Sequence, residues 1–224
     1  MTRRPEKTKT PRPAAAPSGG RRVPSQDRSR KRALRILDAA AGIFAKVGYE
    51  AASTEAIAKA AGTSIGSVYQ FYPNKHAIFD AIARRHLERA RSLFEELIGP
   101  GALERTWEEL LGRAIDAFAR MDREDPDFRA VWKNWDVAGQ FLVAGQAMNQ
   151  EFARRIETIL AAKAKGLGKG RRPLVATMIV EVITAMLFYA VRRDTTSGDA
   201  VVEETKVLLV RYLRPYAEGT SPPG

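Results

Sequence analysis

The sequence predicts an all-α protein, with a small N-terminal unit of three helices followed by a larger helical C-terminal domain. Three observations predict it. From about Asp27 to Tyr216 apolar residues recur three and four positions apart, and the alternation of a half-buried strand is nearly absent. Glycines, prolines and capping residues interrupt that pattern at helix-length intervals. Apolar residues make up 45% and charged residues 28% of the 224, which is enough to build a core of ordinary size.

Residues 1–27 are rich in Pro, Ala, Ser, Gly and Arg, with almost no large apolar side chain. Such a segment buries too little surface to offset its ordering entropy, so it is expected to be a disordered basic arm. The first helix follows over about Asp27 to Val47, with Leu34, Ile36, Leu37, Ala40, Ala41, Ile43, Phe44 and Val47 as its apolar positions. Gly48 closes it. Ser53 can cap a short second helix carrying Ile57, Ala58 and Ala61, which Gly62 ends. Ser64 can cap a third, with Val68, Tyr69 and Phe71, stopped at Pro73. Asn74 can cap a long fourth helix to Ile98. Gly99-Pro100-Gly101 then breaks the chain. Further helical segments are expected over about 102–121, 127–135, 139–165, 172–193 and 197–216, with a disordered tail over 219–224. The domains so read are residues 28–75 and 76–218.

The charge is placed unevenly. Eleven Lys and Arg against two acidic residues lie within residues 1–32, so the arm and the start of the first helix hold +9 of the formal +11. A basic end of this kind suits nucleic acid, an anionic membrane surface or simple solubility. The longest apolar stretch, Pro173 to Val191, is interrupted by Thr177, Glu181 and Thr184 and reads as a core helix, not a membrane span. No apolar segment of a secretory signal stands near the start, so a cytoplasmic protein without a membrane partner is expected. The chain has no cysteine and two histidines, His76 and His86, both read as surface helix residues. No metal, cofactor, catalytic dyad or phosphate loop is expected from so sparse a set, and the chain does not read as an enzyme.

Residues 53–75 carry the functional signal. Two short helices joined at Gly62 have the pattern of a helix-turn-helix, in which glycine tolerates positive φ and the small Ala58 and Ala61 let the helices approach. The second helix of such a unit enters the major groove of DNA. Ser53, Thr54, Thr63, Ser64, Gly66, Ser67, Tyr69, Gln70, Tyr72 and Lys75 are the candidate contacts to double-stranded DNA. The helix starts offer N–H groups to phosphate, Gly66 allows close approach, Gln70 suits an adenine edge, and Tyr69 suits a thymine methyl or a phosphate. Tyr69, Phe71 and Tyr72 also read as core aromatics, and Lys75 also reads as a solvated cap residue.

These residues resemble the DNA-binding domain of TetR-family regulators. The likeness runs through Ile36–Ala40, Phe44–Tyr49, Ser53–Ala58, Ala60–Ser64 and, most specifically, Val68-Tyr-Gln-Phe-Tyr-Pro-Asn-Lys75. It implies a homodimer of nine- or ten-helix subunits that binds a palindromic operator, represses transcription and releases DNA when a small-molecule effector enters the C-terminal domain. By motif position it makes Ser53 and Thr54 phosphate contacts, Ser64, Ser67 and Tyr69 recognition-helix contacts, and Lys75 a clamp on the DNA backbone. The sequence departs from strong direct readout in having no Arg, Lys or Asn between Thr63 and Phe71. The basic arm entering the minor groove is one compensation.

In the C-terminal domain Trp107, Phe118, Trp132, Trp135, Phe141 and Met148 form an aromatic-rich set that reads equally as core or as the lining of a pocket for a largely apolar effector. Val175, Met178, Ile179, Val182 and Met186, with Val201, Thr205, Leu208 and Tyr212, make wide apolar faces on the last two helices and are the candidate dimer interface. The alternatives that the residues leave open are a ligand-independent DNA-binding regulator, a helical small-molecule-binding protein and an enzyme.

Overall fold

The computed structural model describes residues 24–220 apart from 135, 136 and 138. The arm up to residue 23, Trp135 and residues 221–224 lie outside the described residues, as does the side chain of Phe141. The described chain forms nine α-helices.

Local chemistry sets the first four. α1 (Pro24–Val47) starts three residues before the expected Asp27, because Pro24 has the φ of a first helical turn and no N–H to leave unpaired. Its apolar stripe buries Ile36, Leu37, Ala40, Ala41 and Phe44, while Leu34 and Val47, expected with them, face solvent. The Ser53 hydroxyl caps α2 (Thr54–Ala60) by accepting from the Ala56 N–H at 3.1 Å. The Ser64 hydroxyl caps α3 (Ile65–Phe71) by accepting from the Ser67 N–H at 3.2 Å. The Asn74 amide oxygen caps α4 (Lys75–Leu97) by accepting from the Ala77 N–H at 2.8 Å. Gly62 between α2 and α3 has φ +62°, the left-handed conformation the turn demands.

After α4 the chain makes a 3₁₀ turn, Ala102–Glu104, where a continuous helix from residue 102 was expected. α5 (Trp107–Glu124) begins only where Thr106 and Glu109 close a capping box: each side chain accepts from the other's backbone N–H, at 3.2 and 3.0 Å. α6 (Pro126–Lys133), α7 (Gly139–Lys163), α8 (Arg172–Val191) and α9 (Thr195–Glu218) complete the fold. Asp194 caps α9, which therefore starts two residues before the expected Ser197.

One apolar core runs through both halves. Phe44, Ile57, Val68, Ile78 and Phe79 close the α1–α4 unit, with the Phe44 and Phe79 rings edge to face at 5.6 Å. Further along α4, Phe94 stacks on Phe152 of α7 at 4.0 Å. α4 thus belongs to both units, and a boundary at residue 75 falls at its first turn. α6 adds a second join, packing on α1 and α4. Asn134, at its C-terminal end, is buried. Its Oδ1 accepts from the Tyr49 N–H at 2.6 Å, and its Nδ2 donates to the carbonyls of Ala130 at 2.6 Å and Phe44 at 3.3 Å. α8 is long and apolar enough to cross a membrane by composition, yet it packs between α7 and α9.

Candidate nucleic-acid interface and inner cavity

α3 is held by one side and open on the other. Val68 is fully buried against the α1–α4 core, which fixes the helix rotation. Gly66, Tyr69 and Gln70 then face solvent, with Ser64 and Ile65 at the helix start. A Cβ placed on Gly66 meets nothing within 4 Å, so this turn of backbone is bare. Ser53 is exposed on the same part of the chain, and Thr63 and Tyr72 are half-buried. Burial raises the Tyr72 phenol above its ordinary value, with Arg85 and Arg84 opposing. An exposed apolar Ile65 at the first helical position was not singled out by sequence, although such a group can touch a thymine methyl. Arg28, Arg30, Lys31 and Arg32 line the exposed first half of α1.

Three expected contacts sit otherwise. Thr54, the first residue of α2, is buried. The Ser67 hydroxyl is buried and turned under α3, with no hydrogen-bond partner among the described residues. The Lys75 ammonium is tied inward: it donates to the carbonyls of Tyr49 at 2.8 Å, Ala52 at 3.1 Å and Glu50 at 3.3 Å, and lies 4.3 Å from the Tyr49 ring centre. An ammonium has three donors, and here all three pin the loop between α1 and α2. Lys75 is a clamp on its own chain in this structure, which leaves little of it for DNA.

The larger domain holds a cavity of about 230 Å³ between α4, α5, α6, α7 and α8. Phe118, Trp132 and Met148 of the expected set line it, together with Phe94, Phe128 and Phe152, which the sequence had not singled out. Trp107 instead lines a smaller cavity of about 100 Å³, which shares Phe94, Ala114, Ile156 and Ile183 with the first. His86 is in the wall and buried, a correction to its reading as a surface residue; His76 is exposed. The burial of His86 follows from Phe128, whose ring centre is 5.1 Å away, and from Trp132, whose Nε1–H donates to Nε2 at 3.4 Å. Burial pulls the imidazole pKa down to about 4, with the Arg89 charge adding and Asp125 opposing.

That shift has a measurable consequence. The unfolded histidine takes a proton below about pH 6.5, while the folded one stays neutral down to about pH 4. Stability from His86 is therefore complete above pH 6.5 and lost as pH falls toward 4, by about 3 kcal/mol. Urea unfolding at pH 7 and pH 4.5 should show His86→Leu losing less stability on acidification than the parent chain.

The last two helices leave an apolar stripe uncovered. On α8 it comprises Leu174, Met178, Met186 and Tyr189, with Val182 half-buried; on α9 it comprises Val207 and Leu208, with Val201 and Tyr212 half-buried. Val175, Ile179 and Thr205, expected on this face, are buried within the subunit instead. The packing of α8 on α7 and α9, and of α9 on α5 as well, covers that part of each helix.

Comparison with known proteins agrees with this geometry. Residues 36–82 match the family model described as bacterial regulatory proteins, tetR family, and residues 106–213 match the tetracyclin repressor-like C-terminal domain. The chain is 34% identical over 143 residues to the HTH-type transcriptional repressor Rv1474c of Mycobacterium tuberculosis, covering 59% of this chain and 73% of that one. It is 26% identical over 196 residues to the HTH-type transcriptional activator FasR of Mycolicibacterium smegmatis, covering 87% and 86%. A TetR-family transcriptional regulator from Streptomyces coelicolor superposes with a TM-score of 0.56 at 31% identity, over 83% of this chain and 99% of that one. With an outward recognition helix, a helical second domain and matches across both halves, the chain belongs to the TetR family of helix-turn-helix, DNA-binding transcriptional regulators.

Proposed function

We propose that the protein is a cytoplasmic repressor that binds a palindromic operator as a two-fold dimer and leaves it when a small, largely apolar effector fills the inner cavity. The observation that carries the reading is the rotation of α3, with Val68 locked inward and Gly66, Tyr69 and Gln70 outward. That leaves the N-terminal half of the helix bare for a major groove. The repressor of Mycobacterium tuberculosis supports the sign of regulation, and the uncovered stripe on α8 and α9 supports the pairing.

Effector release follows from two populations with different spacing of the recognition helices. A ligand shifts them only by binding one better than the other. α4 transmits that preference, since its C-terminal half lines the cavity and its N-terminal half packs under the α1–α3 unit. α6 acts beside it: Phe128 and Trp132 line the cavity while Asn134 holds the α1–α2 loop.

Tyr69→Ala and Gln70→Ala test the reading. Both residues are exposed, so the variants should melt as the parent does. Each should weaken operator binding about tenfold in fluorescence anisotropy, given about 1–3 kcal/mol for a good base contact. Parent-like affinity in both would remove α3 from the interface.

A further inference from the structure

We propose that the inner cavity selects a compact lipophilic cation, an aromatic or branched body carrying an ammonium group, with Glu181 as its counter-charge. This rests on the reading of the cavity as the effector site and narrows what enters it.

The wall is built for such a ligand in three ways. First, it is aromatic. Phe94, Phe118, Phe128, Trp132 and Phe152 all line it, and their rings are held by one another: Phe94 on Phe152 at 4.0 Å, Phe128 on Trp132 at 5.0 Å. Ring faces attract a cation within about 6 Å, and more strongly when water is excluded. Second, the charge is of one sign. Among the described lining residues Glu181 is the charged side chain, and no Lys or Arg joins it. Third, that carboxylate is uncompensated. Glu181 lines the cavity at its solvent-exposed edge, where Asn149 Nδ2 donates to its Oε1 at 3.2 Å, and no cation pairs with it among the described residues.

The remaining polar lining, Gln146, Asn149 and Thr184, is neutral, and buried His86 is held neutral at physiological pH. A carboxylate-headed ligand would meet Glu181 with no counter-ion in this wall. The chain as a whole is strongly basic, at +11, so its long-range field repels cations. Preference for a cation must therefore arise locally, from Glu181 and the rings. The volume of about 230 Å³ lies below the ~300–1,000 Å³ of pockets for drug-sized ligands, which sets the ligand's compactness.

Isothermal titration calorimetry on the full chain tests this with three probes. Benzyltrimethylammonium carries the charge, neopentylbenzene is its neutral carbon isostere, and 4-phenylbutanoate carries the opposite charge. The ammonium should bind at least about tenfold tighter than either of the others. Glu181→Gln, which keeps an acceptor for Asn149, should erase most of that advantage and leave neopentylbenzene unchanged, with the melting temperature confirming the fold. Equal affinity for ammonium and isostere, no response to Glu181→Gln, tighter binding of the carboxylate, or no binding of any probe overturns the proposal. Phe118→Leu, at a half-buried wall position, should weaken the ammonium more than the isostere. Operator affinity is measured separately without any probe, so failure of the regulator reading and failure of the cation assignment are told apart.

Discussion

Replacing Asp127 by alanine is expected to destabilise the protein by about 3–5 kcal/mol, because it leaves a half-buried cation without its main partner. The Asp127 side chain is 1% exposed and lies at the start of α6. It accepts from Arg85 Nε at 2.5 Å and Nη2 at 2.7 Å, a two-pronged pair, and from Arg89 Nη1 at 3.0 Å. Arg85 reaches on to Asp38 of α1 at 2.7 Å, and Arg89 to Asp125 at 2.7 Å. One guanidinium on α4 thus ties α1 to α6. Desolvating such a pair is itself costly, so removing both charges is far milder than removing one. Arg85→Met with Asp127→Leu should recover most of the loss seen in Asp127→Ala. Urea unfolding of the three variants reads this directly; a loss under about 1 kcal/mol for Asp127→Ala contradicts the assignment.

Placing glutamate at both Met178 and Met186 is expected to yield monomers and to lower operator affinity at least about a hundredfold. Both methionines are exposed in the subunit, on the stripe with Leu174 and Tyr189. Pairing through this stripe puts four carboxylates in an apolar contact, at several kcal/mol of desolvation. A monomer then meets one half-site at a time and forfeits the gain of linked binding. Sedimentation velocity gives the mass, and anisotropy the affinity. Val175→Glu is a different experiment, since Val175 is fully buried and its loss acts on folding.

Most helix boundaries were legible in the sequence because they are set by neighbours within a few residues. Ser53, Ser64 and Asn74 each bond an N–H three positions on, and the glycines at 48 and 62 take positive φ where the helices end. The late start of α5 was equally local, since Thr106 and Glu109 spell its capping box, but the apolar pattern beginning at Ala102 masked it. On α3 the expected exposure of Gly66, Tyr69 and Gln70 agrees with the structure, whereas Ser67, expected beside them, has its hydroxyl buried.

What escaped depends on distance along the chain. Lys75 meets carbonyls 23 to 26 residues away, so no local pattern shows that its donors are engaged. His86 is covered by residues more than forty positions later. Phe94 and Phe152 repeat at core spacing, and only the packing of α4 against α7 reveals that they border a cavity. On α8 an apolar run covers every face, so Val175 and Ile179 could not be told from Met178 and Met186 by pattern alone.

Two copies of the chain are expected to present α3 to successive turns of one duplex. Selecting bound sequences from a random duplex library, with the mass of the complex measured on the winner, tests it most directly. The expected winner is an inverted repeat whose half-sites lie about 34–36 Å apart or a multiple of that, bound by an even number of chains. Enrichment of no sequence, or of a single asymmetric site held by one chain, contradicts it.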